Sequence, residues 1–68
     1  MSRLEPEVGD VFLNKHSRRK TIILCDRNYY QCLVENGGLV ARYKSEFLKM
    51  KYLGKSKANI NELFEVEE

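Results

Sequence analysis

Residues 29–44 read YYQCLVENGGLVARYK, two runs of strand-forming residues on either side of Asn36-Gly37-Gly38. Asn-Gly and Gly-Gly both suit the positive φ positions of tight hairpin turns, so the sequence predicts a β-hairpin here. A two-residue loop at Asn36-Gly37 or at Gly37-Gly38 gives the same parity of side chains. In both registers one face is uncharged, and we predict that it faces the core: Tyr30, Cys32, Val34, Leu39, Ala41 and Tyr43.

The preceding segment, KTIILCD at 20–26, is rich in β-branched residues and predicts another strand. Asp26-Arg27-Asn28 has the composition of a turn. A two-residue turn at Arg27-Asn28 places Ile23 and Cys25 on the core face. It leaves Ile22 and Leu24 on the other face, where strong curvature, a covering C-terminal segment or a shifted register would account for them.

The flanking segments predict the remaining elements. Val11-Phe12-Leu13 follows a Gly-Asp turn signal and is rich in strand formers. Residues 45–50 fit one helical turn with Ser45 as N-cap, and residues 51–53 fit a short closing strand. Residues 56–68 carry apolar residues at helical spacing, followed by an acidic end.

This order predicts a mainly β single domain spanning residues 1–68. The fold we expect is a small SH3-like barrel of about five short antiparallel strands, with one helical turn before the last strand. The barrel would occupy residues 7–55, and a short C-terminal helical and acidic tail would occupy residues 56–68.

Short words within this pattern resemble small uncharacterised SH3-like proteins encoded by bacteriophages. They are VGDVF at 8–12, a basic loop, a run of strands and FLKMKYLGKS at 47–56. The resemblance covers roughly residues 7–55. It implies a cytosolic phage accessory protein, and it carries no assigned chemistry.

Size and hydropathy favour a small cytoplasmic protein. A chain of 68 residues has a marginal core and no room for a second domain or a deep cleft. The N-terminal residues contain no apolar signal-peptide region, and no apolar run is long enough to span a membrane. In a reducing cytosol we expect Cys25 and Cys32 to be buried thiols rather than a disulfide.

The charges are unevenly distributed although the net charge is only +2. Residues 11–57 hold eleven Lys and Arg against three acidic residues, a net charge of +8, and both ends of the chain are acidic. Such asymmetry bears on the choice of partner rather than on the fold. It favours a polyanion-binding surface, with charges spread for solubility as the alternative.

We therefore predict nucleic-acid binding, to DNA or RNA, through a basic loop and a strand face. Clustered cations hold phosphates, and an exposed tyrosine stacks on a base. Tyr29 points away from the predicted core face. The predicted binding residues are Lys15, Arg18, Arg19, Lys20, Arg27, Tyr29, Arg42 and Lys44. The acidic tail either lies over this surface or extends away from it.

Other chemistry finds little support in the sequence. A zinc site needs about four nitrogen or sulfur ligands, and only His16, Cys25 and Cys32 are present. A Cys/His nucleophile is disfavoured because the cysteines lie on an apolar strand face. Gly37-Gly38 lacks the Lys and the following helix of a phosphate loop. We expect no enzymatic activity, no cofactor, no metal and no small-molecule substrate.

The alternative function is inhibition or modulation of a host protein. Leu33, Val40, Ile22 and Leu24 on the non-core face would form an apolar interface if they are exposed. Convergence of Arg18, Arg19, Arg27, Arg42 and Lys44 on one side would favour nucleic acid. An uncovered apolar patch with scattered cations would favour protein.

Overall fold

The computed structural model describes residues 5–57, 59 and 61–67. Five antiparallel strands form one sheet in the order β4-β3-β2-β1-β5, and a 3₁₀ helix precedes the last strand. The elements are β1 Asp10–Leu13, β2 Lys20–Asp26, β3 Tyr30–Val34, β4 Gly38–Arg42, the 3₁₀ helix Lys44–Lys49 and β5 Lys51–Lys55. The predicted mainly β class is confirmed.

The first strand lies between β2 and the last strand of the chain. Leu13, at the end of β1, pairs with Lys20 on one side and with Lys51 on the other. The β1–β2 loop therefore leaves the sheet beside the point where β5 begins. This pairing places residues that are far apart in sequence next to the basic loop.

The core lies between one face of the sheet and the 3₁₀ helix. Phe12, Ile23, Cys32 and Phe47 form the buried cluster, against which Tyr30 packs. The ring centroid of Phe47 lies 4.8 Å from that of Phe12 and 5.3 Å from that of Tyr30. The 3₁₀ helix thus covers the sheet through a single large aromatic side chain.

The β3–β4 loop is longer than predicted. Each side chain of β4 therefore lies on the opposite face from the one predicted. Val34 pairs with Gly38, so the loop has three residues rather than two. Asn36 takes a positive φ of 59°, and the Gly37 N–H donates to Val34 O at 2.9 Å. An odd loop length reverses the parity of the returning strand. Val40 therefore faces the core opposite Cys32.

The predicted core face is consequently half wrong. Tyr30 and Cys32 lie on the core side as expected. Three residues of the returning strand were also predicted to face the core. They lie instead on the outer face and are exposed: Leu39, Ala41 and Tyr43.

A bulge also changes the faces of β2. Ile23 pairs with Cys32 and is fully buried, as predicted for the core face. The register then shifts, so that Cys25 pairs with Gln31 on the outer face. An extra residue in one strand displaces the side chains that follow it. The prediction that Cys25 faces the core is therefore wrong.

The C-terminal segment accounts for the buried residues on the outer face. Val11 pairs with both Ile22 and Gly54, and both Val11 and Ile22 are buried although they face away from the main core. A Cβ on Gly54 would lie 3.3 Å from the Cβ of Val66. Val66 thus packs on the outer face at Gly54, and of the explanations considered, a covering C-terminal segment fits best.

That segment forms turns rather than the predicted helical turn. The Glu62 N–H donates to Asn59 O and the Glu65 N–H to Glu62 O, and each bond closes one turn. Val66 then forms an isolated antiparallel bridge with Ser56. Tertiary pairing with the end of β5 has overridden the helical spacing. Ile60, on which that spacing partly rested, lies outside the described residues.

The predicted helical turn at 45–50 is a 3₁₀ helix one residue earlier, and Ser45 is not its N-cap. Tyr43 occupies the cap position. Its backbone N–H donates to Glu46 Oε2 at 3.1 Å, and its carbonyl accepts from the Glu46 N–H at 2.9 Å. The carboxylate of Glu46 thereby fixes the start of the helix.

Replacing Phe47 by Ala should lower the free energy of unfolding by about 3–5 kcal/mol, because truncating a buried phenylalanine removes apolar contacts and leaves a cavity. Urea titration followed by far-UV circular dichroism measures this. Leu48→Ala is the matched control, since Leu48 is 67% exposed on the same helix, and it should change stability by less than about 0.5 kcal/mol. If Phe47→Ala abolishes the transition, Phe47→Leu should retain one at a lower midpoint. Equal effects at the two positions would contradict this packing.

The two thiols should differ in reactivity. Cys32 is fully buried, and burial raises the pKa of its thiol from 9.0 to about 11. At pH 8 about one molecule in a thousand then carries the reactive thiolate. Labelling with a chromogenic disulfide should modify Cys25, which is half-buried, and should modify Cys32 only after unfolding. Cys25→Ser should remove the fast phase, and two fast thiols in the native protein would show that the core is open.

Candidate nucleic-acid interface

The basic β1–β2 loop is organised by one asparagine. Asn14 Oδ1 accepts hydrogen bonds from the backbone N–H groups of His16 at 2.8 Å and Ser17 at 3.2 Å. The Arg18 N–H donates to Asn14 O at 2.7 Å, and Arg18 takes a positive φ of 61°. Asparagine favours such local turns. The loop backbone is therefore held at its base while the side chains between Lys15 and Arg19 are exposed.

A cavity of about 300 Å³ opens between this loop and the 3₁₀ helix. It brings together Lys15 and Arg42, two of the predicted binding residues, although they are 27 positions apart. It also contains Lys49, which was not predicted. We call Lys15, Arg42 and Lys49 the basic cluster. The complete lining is Asn14, Lys15, His16, Arg42, Glu46, Lys49 and Met50.

Glu46 orients the arginine of the basic cluster. Arg42 Nη1 donates to Glu46 Oε1 at 2.9 Å. The hydrogen bond from the Tyr43 backbone lowers the pKa of Glu46, and the hydrogen bond and charge of Arg42 and the charge of Lys49 lower it further. Glu46 is therefore a carboxylate at neutral pH. Arg42 Nε is buried and has no hydrogen-bond partner among the described residues.

The one carboxylate in the cavity lining is Glu46, whose pKa the charge of Lys49 lowers. Within residues 5–57, 59 and 61–67, neither Lys15 nor Lys49 forms a salt bridge. Lys51 adds a further charge nearby, because it pairs with Leu13 at the root of the loop. The end of the sheet that carries the loop is therefore electropositive.

The other predicted residues do not join the basic cluster. Lys20 begins β2, where its N–H lies 3.4 Å from Glu35 Oε1. Arg27 and Tyr29 lie in the β2–β3 loop at the far end of β2, about 20 Å from Lys20 at the usual rise of a strand. Arg18 is exposed on the β1–β2 loop, and Arg19 Nη1 lies 3.4 Å from the position of a Cβ on Gly37. Arg18 and Arg19 thus lie at one end of β2, whereas Arg27 lies at the other end, where Tyr30 pairs with both Asp26 and Arg42. The five cations whose convergence would favour nucleic acid therefore do not converge.

Lys44 is also separate, because it is paired with acid. It forms a salt bridge with Glu5, and the hydrogen bond from its ammonium to Glu5 raises the pKa of Lys44. Tyr29 is 41% exposed and packs edge-on against Tyr43, with the ring centroids 6.5 Å apart. Its exposure agrees with the prediction, but it lies outside the cavity lining.

Sequence reasoning missed Lys49 and Met50 as neighbours of the loop. It also left out His16, which belongs to the loop and lines the cavity. The signal that could have found them is the strand order, since an SH3-like arrangement pairs the first strand with the last. That pairing places residues 49–51 beside residues 13–15.

The apolar patch considered for protein binding also has a different composition. Ile22 is buried and Val40 packs against the core. The exposed apolar residues of the outer face are instead Leu24, Tyr29, Leu39 and Tyr43.

Two structural searches give negative results for the described residues. Residues 5–57, 59 and 61–67 contain no group of three or more His, Cys, Asp or Glu side chains placed to hold a metal ion. Over the same part of the chain, no helix has the length and apolar character needed to cross a membrane.

Comparison with known proteins identifies no relative of this chain. No protein-family model, no curated protein and no solved structure matches it.

Proposed function

We propose that this chain is a non-enzymatic binding module that binds nucleic acid through the basic cluster and the β1–β2 loop. The observation that carries the proposal is the meeting of Lys15, Arg42 and Lys49 around one cavity. Two of these three cations lack an acidic partner in the described chain. Unpaired cations on a shared surface are what phosphate binding requires.

We also propose that the sheet curls into an SH3-like barrel that stays open at the edge of β4. The strand order and the 3₁₀ helix before β5 fit that architecture. The resemblance to phage-encoded proteins leads us to propose a cytoplasmic accessory role. Neither proposal is needed for the binding surface itself.

The acidic tail is positioned away from the basic cluster. Its backbone pairs with the end of β5, where the Glu67 N–H donates to Lys55 O at 2.8 Å. The cluster lies near Lys51, at the start of the same strand and about 13 Å away at the usual strand rise. This separation supports a surface that polyanions can reach.

One cation near the tail, Lys55, is in contrast already paired. Lys55 contacts both Asp10 and Glu7, and the hydrogen bond to Asp10 is the largest cause of the raised pKa of Lys55. This paired lysine lies at the opposite end of β5 from Lys51.

Fluorescence anisotropy with labelled single-stranded DNA, duplex DNA and RNA, each at several salt concentrations, tests the proposal. Binding should weaken as salt rises, because phosphate contacts release counterions. Lys15→Ala and Lys49→Ala should each lower the slope of log K against log salt by about 0.7–1. Lys57→Ala removes the same charge two residues beyond the end of β5 that is opposite to Lys51, and it should leave the slope nearly unchanged.

Two results would contradict the proposal. One is the absence of binding to all three nucleic acids at about 50 mM salt, where phosphate contacts are strong. The other is an equal loss in the Lys57→Ala control, which would mean that only the net charge matters.

A protein partner is the second candidate, on a different surface. β4 pairs only with β3 within the described sheet, and its outer side carries Leu39 and Tyr43, which are 73% and 66% exposed. An extended peptide can add to such an edge. Arg19 and Arg27 form no salt bridges in the described chain and lie near the two ends of β3. The positive charges of Arg19 and Arg27 favour an acidic extended peptide as the partner. They disfavour a second copy of this chain, since antiparallel β4–β4 pairing would bring the arginines of the two copies together.

A synthetic hexapeptide of alternating valine and glutamate tests this second candidate. Added at about 1 mM, a concentration that detects weak binding, it should shift the backbone amide resonances of β4. Leu39→Asp should abolish the shifts through lost apolar contact and charge repulsion. Leu48→Asp, at an exposed site on the 3₁₀ helix, should preserve them. Shifts that survive Leu39→Asp, or no shifts at all, would reject this surface.

A further inference from the structure

We infer that the cavity of the basic cluster binds a terminal phosphomonoester of a nucleic-acid strand. This inference rests on the proposed nucleic-acid binding and names the chemical group that the cavity takes. Its basis is the shape of the cavity, its charge, and the arginine that Glu46 holds in the lining.

The shape favours the end of a strand. The cations line a cavity of about 300 Å³ between a loop and a helix rather than a flat surface or an open stripe. An internal phosphodiester continues into the chain on both sides, so it reaches a concave site less easily than a terminal phosphate does. The volume exceeds what a phosphate alone requires. The side chain of Met50 in the lining offers an apolar contact for the terminal sugar.

The charge favours a monoester. Lys15, Arg42 and Lys49 contribute three positive charges, and the ionised Glu46 removes one. The cavity therefore has an excess of about two positive charges. A phosphomonoester carries about −1.5 to −2 at neutral pH, because its second ionisation lies near pH 6. An internal phosphodiester carries a single charge and would leave the site under-neutralised.

Arg42 provides the independent observation. Its Nη1 is held by Glu46, which orients the guanidinium, while its Nε is buried without a partner among the described residues. Arginine is the side chain best suited to hold phosphate through several N–H groups in fixed geometry. Arg42 also lines the cavity, so a phosphate oxygen there would accept from a guanidinium N–H that Glu46 leaves free. Lys15 and Lys49 would then hold the remaining oxygens from the loop and the helix.

The test compares 12-nucleotide DNA strands that carry an internal fluorophore and differ only at their ends. One has a 5′-phosphate, one a 3′-phosphate and one two hydroxyl ends. A 13-nucleotide strand with hydroxyl ends adds one ordinary phosphodiester and controls for charge. At least one phosphorylated strand should bind about fivefold more tightly than the 12- and 13-nucleotide hydroxyl strands, a ratio typical of a few charge-assisted contacts.

The variants locate the effect. Lys15→Ala and Lys49→Ala should reduce the preference for the phosphorylated strand to less than twofold. Lys57→Ala should preserve the preference, because Lys57 lies beyond the end of β5 that is opposite to Lys51. Thermal unfolding of each variant, followed by circular dichroism, checks that the fold is retained.

The outcomes separate the two proposals. Equal affinity for all four strands, with binding still weakened by Lys15→Ala, would overturn the terminal-phosphate inference and leave nucleic-acid binding in place. A lack of binding to every strand would overturn both. Competition with inorganic phosphate and with a nucleoside monophosphate distinguishes a strand end from a free phosphate. We expect neither to displace the phosphorylated strand at concentrations near its Kd, and displacement by the monophosphate there would assign the cavity to a small ligand.

Discussion

The contact of Phe47 with Phe12 and Tyr30 determines how the rest of the molecule is arranged. Among the described residues, Phe47 is the largest fully buried side chain. It joins the 3₁₀ helix to β1 and to β3. Because the helix is held there, the chain that leaves β4 crosses to the side of β1 and pairs with it as β5. The cavity of the basic cluster follows from that crossing, since Glu46, Lys49 and Met50 lie on or next to the same helix.

The sequence contained enough information for the class of fold but not for every face. The strands and their order depend on local propensity and composition, and these agreed with the tertiary structure. The C-terminal segment did not, because turns replace the predicted helical turn there. The faces depend on whether each turn contains an even or odd number of residues, and Asn36-Gly37-Gly38 is compatible with both. Because the loop has one more residue than predicted, Val40 lies on the core side, where Leu39, Ala41 and Tyr43 had been predicted.

The candidate site was predictable only in part for a related reason. The loop cations were visible as a run in the sequence, so Lys15 and its neighbours could be proposed without the fold. Arg42 and Lys49 belong to the cavity only because β5 pairs with β1, and a non-local pairing of this kind leaves no local trace. Arg27 was included as the cation at the next turn along the chain, but the β1–β2 and β2–β3 loops lie at opposite ends of β2.

The distribution of ion pairs supports a functional rather than a stabilising explanation of the cavity. Exposed salt bridges contribute only about 0–1 kcal/mol each, so leaving Lys15 and Lys49 without acidic partners costs little. A buried donor without an acceptor is different, because it costs about 1–3 kcal/mol, a large fraction of the stability of so small a domain. Arg42 Nε is such a donor, and Glu46 holds the arginine in place at Nη1 instead of neutralising it by full bidentate pairing. The burial of Nε keeps it out of reach of a ligand, so the fold itself bears that cost. An anion in the cavity would instead neutralise the lysines, which is the role we propose for these three cations beside a single carboxylate.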